Sequence, residues 1–302
     1  MTAVTDGTVT AAMRRLLAVA AVLVFLAGLQ LTAFPTRTAD WFSWTIDVRM
    51  TAVFLGAAYG SSAVLEVAGA RSSRWTSARL AVWAVLVFTV LTLAVTLVHL
   101  DKLHLGAQHP VSARAVTWGW LAIYAGVPLA MLAALLLQAR GRRAPAGMRD
   151  RRRLPAGLGW LLVGLAAVLV ASGLALLVAP QWAADGWAWP LTPLTARAVG
   201  AWLVGLGWAA GHARLVDDID DVRPLGLTGT TFVVLQTVAL LRYGDALAWG
   251  TWQATAYVVG LAWTAVVAGW ILALEAGAGR TVTSSRASRS RAGAGPGPAR
   301  HR

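Results

Sequence analysis

Eight stretches of this chain stay apolar for about 20 residues at a time, the length a helix needs to cross the hydrocarbon of a bilayer. They run over about Leu16–Ala33, Met50–Ala70, Leu80–Leu100, Ala115–Leu137, Leu158–Val178, Ala198–Val216, Leu225–Leu241 and Trp252–Leu274. The seventh is the weakest, being short and carrying Thr228, Thr230, Thr231 and Gln236. None alternates like a barrel strand, and backbone groups in lipid must bond within their own segment, so the runs predict helices. Composition agrees: 58% of residues are hydrophobic and 13% charged, roughly half the charged fraction of a soluble domain. Cysteine is absent, which excludes disulfides, Cys-ligated metals and a thiol nucleophile.

The net charge of +13 is unevenly placed. Arg14 and Arg15 precede the first run, Arg71, Arg74 and Arg79 follow the second, and seven arginines lie between Arg140 and Arg153. With Arg214, Arg223 and the arginines of the tail, twenty of the 26 basic residues fall on one side. Arg37, Arg49, Lys102, Arg114, Arg197 and Arg242 fall on the other. The side rich in Lys and Arg is the cytoplasmic one. Both termini are therefore expected in the cytoplasm of a multi-pass plasma-membrane protein. The first run resembles a signal peptide but is expected to be retained, because the fifth run is its counterpart in mid-chain.

That counterpart belongs to an internal repeat. A shift of 145 residues lays Leu16-Leu17 on Leu161-Leu162, Gly28-Leu29 on Gly173-Leu174, Pro35 on Pro180, Asp40 on Asp185 and Trp44 on Trp189. After a three-residue insertion Arg49 meets Arg197 and Phe54 meets Trp202. Rare residue types coincide in order. The expected fold is all-α: a polytopic bundle of about eight transmembrane helices in two tandem four-helix repeats, 1–137 and 156–275. A basic cytoplasmic linker over 138–155 joins them, and a disordered basic cytoplasmic tail over 276–302 follows. Four helices per unit put both halves the same way up, related by an axis along the membrane normal.

The stretch from Trp187 to Trp202, with Pro190, Pro193 and Arg197 inside it, resembles a motif of uncharacterised multi-pass membrane proteins of actinobacteria and related bacteria. The resemblance covers those residues, with a weaker echo at Phe42–Phe54. It implies a membrane location and brings no activity.

Several motifs invite chemistry. Asp217-Asp218-Ile219-Asp220-Asp221 has the DDxxD form by which prenyl-transferring enzymes hold Mg²⁺ and a diphosphate. The matching loop of the first half, Arg71 to Arg79, is basic, so an acidic loop pairing with the Arg-rich linker or tail is expected instead. His99, Asp101, His104 and His109 cluster beyond the third run, but the helical spacing of His99 and His104 spreads them apart, and a solvated or pH-sensitive loop fits better than a metal site. Many of the 16 tryptophans sit near membrane edges, as interfacial belts do. Gly56/Gly60 and Gly207/Gly211 form GxxxG pairs suited to close helix packing. Glu66 falls on Arg214 in the repeat register and is a candidate partner for it across the axis.

The candidate site residues are the repeated Asp, Trp and Arg: Asp40, Trp44 and Arg49, then Asp185, Trp189 and Arg197. Each arginine heads a helix, where the macrodipole disfavours a cation, so each needs an anionic partner. Either each aspartate clips its own arginine, or the arginines hold an anionic headgroup between tryptophan walls. No cofactor, metal or nucleic acid is implied; the expected partners are the lipid bilayer and anionic lipids at the linker and tail. The default function is a non-enzymatic scaffold or sensor. The alternatives are a carrier for a small or lipid-like molecule and, last, an enzyme on a lipid-linked substrate.

Overall fold

The computed structural model describes residues 7–140 and 151–292. Ten α-helices follow in order: α1 (Ala11–Ala33), α2 (Thr38–Trp41), α3 (Arg49–Arg71), α4 (Trp75–Val98), α5 (Val111–Arg140), α6 (Ala156–Val178), α7 (Pro180–Ala184), α8 (Pro193–Val216), α9 (Ile219–Tyr243) and α10 (Trp252–Ala292). Short 3-10 turns, Leu100–Lys102 and Gly244–Ala246, follow α4 and α9. The only pairing of strand type among the described residues is the isolated bridge between Thr8 and Arg74. The linker arginines Arg142, Arg143 and Arg149 lie outside the described residues. α10 continues to Ala292 through part of the segment read as a tail, and residues 293–302 lie outside the description.

Among the described residues, seven helices have the length and apolarity to cross a membrane: α1, α3, α4, α5, α6, α9 and α10. The chain is thus an all-helical, multi-pass membrane protein. The sixth apolar run, Ala198–Val216, forms part of the 24-residue α8, which is not among the seven. Its composition has a physical reason. α8 packs along α6 and α4, and Val199 to Leu203, Gly205, Gly207, Ala209 and Ala210 are all buried. A helix wrapped by protein needs small residues for contact more than it needs lipid-like side chains. α3 is likewise buried along most of its length, whereas α6 and α10 are largely exposed.

Local sequence explains the entry to α8. Thr192 and Thr195 bond reciprocally, Thr195 N donating to Thr192 Oγ1 at 3.3 Å and Thr192 N to Thr195 Oγ1 at 2.8 Å, with Pro193 opening the helix. This is a capping box with proline where its missing N–H costs nothing.

Packing follows one scheme in each half. α1 lies along α3, and α6 along α8. Gly28 sits where an added Cβ would stand 2.6 Å from Gly60 N, and Gly173 where it would stand 2.7 Å from Gly200 O. These backbones touch directly, a contact only glycine permits. The halves then cross-pack, α3 against α9 and α4 against α8. At one end Val9 N donates to Ser73 O at 3.0 Å and Ile219 N to Arg152 O at 2.9 Å, so a segment ahead of α1 or α6 binds the following inter-helix loop in both halves. At the other end His104 N donates to Ser43 O at 2.9 Å and Ala248 N to Ala188 O at 3.4 Å. Two side-chain clusters fill the interior. One, at the α2/α7 end, is aromatic, around Trp44, Phe54, Tyr59, Phe88, Trp120, Trp189 and Trp202. The other is aliphatic, around Leu17, Leu80, Met131, Leu158 and Val222.

Candidate functional site

The two Asp–Arg clips are not made. Asp40 pairs with Arg37, three residues away on the same turn, at 3.3 Å, while Arg49 stays exposed at the head of α3. Arg197 turns away from Asp185: its Nε donates to Leu177 O at 3.0 Å and its Nη1 to His99 Nε2 at 2.8 Å. Leu177 lies in the last turn of α6 and His99 caps the end of α4. The partners of this arginine at a helix N-terminus are thus a carbonyl at the negative end of α6 and an imidazole side chain, not a carboxylate. His99 accepts this bond as a neutral ring. Burial, then the charge of Arg197, holds its pKa below the ordinary 6.5.

The tryptophans of the pattern are interior, not walls of an open cleft. Trp44 is buried against Phe42 and Trp120, with ring centroids 4.6 and 5.1 Å away. Trp189 Nε1 donates to Thr51 Oγ1 at 2.9 Å, tying the α7–α8 loop to α3 of the other half. The histidine cluster also differs from a solvated loop. His104 is buried, its Nδ1 donates to Phe42 O at 2.9 Å and its Nε2 meets Thr45 Oγ1 at 3.1 Å. It pins the α2–α3 loop. Burial is the first cause holding its pKa below the ordinary value.

The aspartate run is consumed by arginines. Arg74 Nη2 binds Asp221 at 2.8 Å and Ser77 bonds the same oxygen. Arg152 holds Asp220 at 3.1 Å, and Arg214 and Arg153 flank Asp217 at 3.8 and 4.0 Å. Asp218 caps α9 by accepting from Asp220 N at 3.1 Å. The partners include the linker arginines 152 and 153, as the acidic-loop expectation requires. Arg214 therefore pairs with Asp217, and not with Glu66. Glu66 is buried and, among the described residues, has Ser62 Oγ alone as a partner, at 3.4 Å from its Oε1, so it does not reach water as a helix-end carboxylate would. On the same helix Tyr59 Oη meets Tyr124 Oη of α5 at 2.7 Å.

The feature the sequence reading missed is a cavity of about 660 Å³, bounded mainly by α6 to α10 and the α7–α8 loop of the second half, with Phe54 of α3 also in its wall. Along α10 its lining runs from Trp252 to Ile271, about 28 Å at 1.5 Å per residue. The volume spread over that length describes an elongated slot. The lining is aliphatic and aromatic, from Leu162, Leu165 and Val168 to Phe232 and Tyr257. Tyr257 Oη donates to Gln236 Oε1 at 2.8 Å and Gln236 Nε2 to Phe54 O at 3.3 Å, while Trp187 Nε1, also in the lining, is buried without a hydrogen-bond partner among the described residues.

Its openness has a residue-level cause. The inward face of α10 carries Ala256, Gly260, Thr264 and Ala268, small and four apart. The inward face of α5 in the first half carries Trp120, Tyr124 and Met131. There the rings close up: Trp120–Tyr124 at 4.4 Å, Tyr59–Trp202 at 4.7 Å and Phe88 stacked on Trp202 at 3.8 Å. The space left among them is about 10 Å³. The small-residue spacing on α10 was the signal available in the sequence. No family model, curated protein or solved structure compared with the chain matches it.

Proposed function

We propose that this chain is a non-enzymatic, lipid-binding plasma-membrane protein of eight spans, built from two tandem four-helix repeats, with one lipid chain lying in the slot of its second half. The slot's dimensions and apolar lining carry this reading: such a space left without a chain would forfeit the dispersion contacts of its walls. The binding mode is the usual one for such sites, an apolar concavity with few polar groups.

The matched order of elements, the glycine contacts at Gly28 and Gly173, and the reciprocal packing of α3 on α9 and α4 on α8 support the repeat. Its 24 residues make α8 long enough for the eighth span. The arginine asymmetry supports cytoplasmic termini, with anionic lipid at the linker and tail. The likeness of Trp187–Trp202 to actinobacterial membrane proteins fits the same location. The slot's length, close to a hydrocarbon thickness, favours as a second reading a carrier that moves a lipid-like molecule between leaflets. With its carboxylates paired to arginines, the aspartate run does not support the enzyme reading.

The test is lipid retention. A Cβ at Gly260 meets nothing within 4 Å, so Gly260→Phe places a ring in the slot without a backbone clash. The wild-type chain, purified in mild detergent and extracted, is expected to yield a bound lipid that Gly260→Phe loses. Equal lipid in both would overturn the reading. Transbilayer movement of a labelled lipid in reconstituted vesicles, abolished by the same variant, would select the carrier.

A further inference from the structure

The slot ends in polar and aromatic groups where α6 stops and α10 begins: Trp182, Asp185, Gly186, Trp187, Trp252 and Gln253. Among the described residues that line it, Asp185 alone carries a formal charge. Its main-chain carbonyl accepts from Gln253 Nε2 at 3.1 Å, which fixes the residue over the start of α10. Its side chain is exposed and enters none of the ion pairs among the described residues.

The first half shows what this arrangement is complementary to. There Asp40, the counterpart of Asp185 at the 145-residue shift, binds Arg37 at 3.3 Å, and the same guanidinium lies over the ring of Trp41, 4.9 Å from its centroid. A carboxylate and an indole thus hold one cation. In the second half the residue aligned with Arg37 is Trp182, so the internal cation is gone. The residue aligned with Trp41 is Gly186, and the ring of Trp252 stands beside it, 3.5 Å from where a Cβ would be. The carboxylate and the aromatic surface remain, at the mouth of the slot.

We infer that this mouth takes the ammonium group of a membrane lipid whose chain occupies the slot. The inference rests on the lipid-binding reading above and adds the head chemistry to it. An ammonium is attracted by the face of an indole and by a carboxylate together. The absence of Lys and Arg from the described lining leaves nothing there for a purely anionic head to pair with.

The test uses the full chain in nanodiscs holding equal amounts of two phospholipids with identical chains, one ethanolamine-headed and one glycerol-headed. Lipid retained after release is counted by native mass spectrometry. Wild type is expected to retain the ethanolamine-headed lipid about threefold to tenfold over the other, the range for one cation–π contact with one exposed ion pair. Asp185→Asn should bring the ratio near one while total retained lipid stays the same. Trp182→Arg, which restores the first half's internal cation at an exposed position, should do likewise. A wild-type ratio of one, or a ratio that survives Asp185→Asn, overturns the head assignment and leaves the slot standing. Retention of both lipids unchanged in Gly260→Phe overturns the slot itself, and the head assignment with it.

Discussion

Replacing Gly173 by alanine sets two effects of known size against each other. Alanine is the better helix former by about 1 kcal/mol. Its methyl, however, would stand 2.7 Å from Gly200 O and 2.9 Å from Val204 N, both backbone atoms of α8. Ordinary contact begins at 3.4 Å, so α6 and α8 would have to part by the difference, about 0.7 Å. Overpacking of this kind costs about 1–3 kcal/mol, and the upper part of that range applies because neither obstacle is a side chain able to rotate away. The net expectation is a loss of about 1–2 kcal/mol, read by unfolding the purified protein in a graded mixture of mild detergent and SDS. Gly28→Ala meets Gly60 N at 2.6 Å and should lose a similar amount. Gly260→Ala meets open space and should gain up to about 1 kcal/mol. A Gly173→Ala protein as stable as wild type would refute the claim that α6 and α8 touch through their backbones.

Three further outcomes follow from the geometry. Because His99 is neutral in the fold with its pKa held below 6.5, its bond to Arg197 contributes fully above that value and is lost as pH falls through the lowered one. Melting at pH 7.5 and pH 5 should reveal about 1–2 kcal/mol of acid sensitivity, absent in His99→Gln, which keeps an acceptor at every pH. The Arg74–Asp221 pair is 2.8 Å long with Asp221 buried; Asp221→Asn is expected to cost about 2–3 kcal/mol, and a double cycle with Arg74→Gln should return a coupling above 1 kcal/mol, where additive losses would show the pair to be inert. Topology reporters after Ser284 should read cytoplasm and those near Thr38, Gln108, Gly186 and Gly250 the outside; a cytoplasmic signal at Gly186 would break the eight-span arrangement.

Much of the architecture was legible because lipid imposes length. Every apolar run falls within a helix except the end of Leu80–Leu100, which outlasts α4 by two residues, and even the weak seventh run lies within α9, whose threonines return their hydroxyls to carbonyls one turn back, as Thr228 does to Pro224 O at 2.8 Å. The helices overrun the apolar stretches, α9 beginning at Ile219 and α5 at Val111, since protein and loop contacts stabilise turns that lipid does not. The short α2 and α7 were not legible, because four or five residues carry no helical period. Sequence proximity misled at the site. Asp40 found Arg37 three residues away, and Arg197 found carbonyl and imidazole partners 20 and 98 residues away, where only the packing of α4, α6 and α8 brings them together. The slot was the hardest to foresee. A void is a difference of side-chain volumes summed over several helices, and it becomes readable only when the small face of α10 is set beside Trp120 and Tyr124 of α5.

The most direct measurement is a cryo-EM map of the wild-type chain in lipid nanodiscs, with attention to the space between α6 and α10. A continuous tubular density is expected from the Gly186 and Gln253 end toward Ile271, one chain wide, with no equivalent beside Trp120 in the first half. An α10 packed down onto α6, leaving no density and no space between them, would contradict lipid binding in the second half.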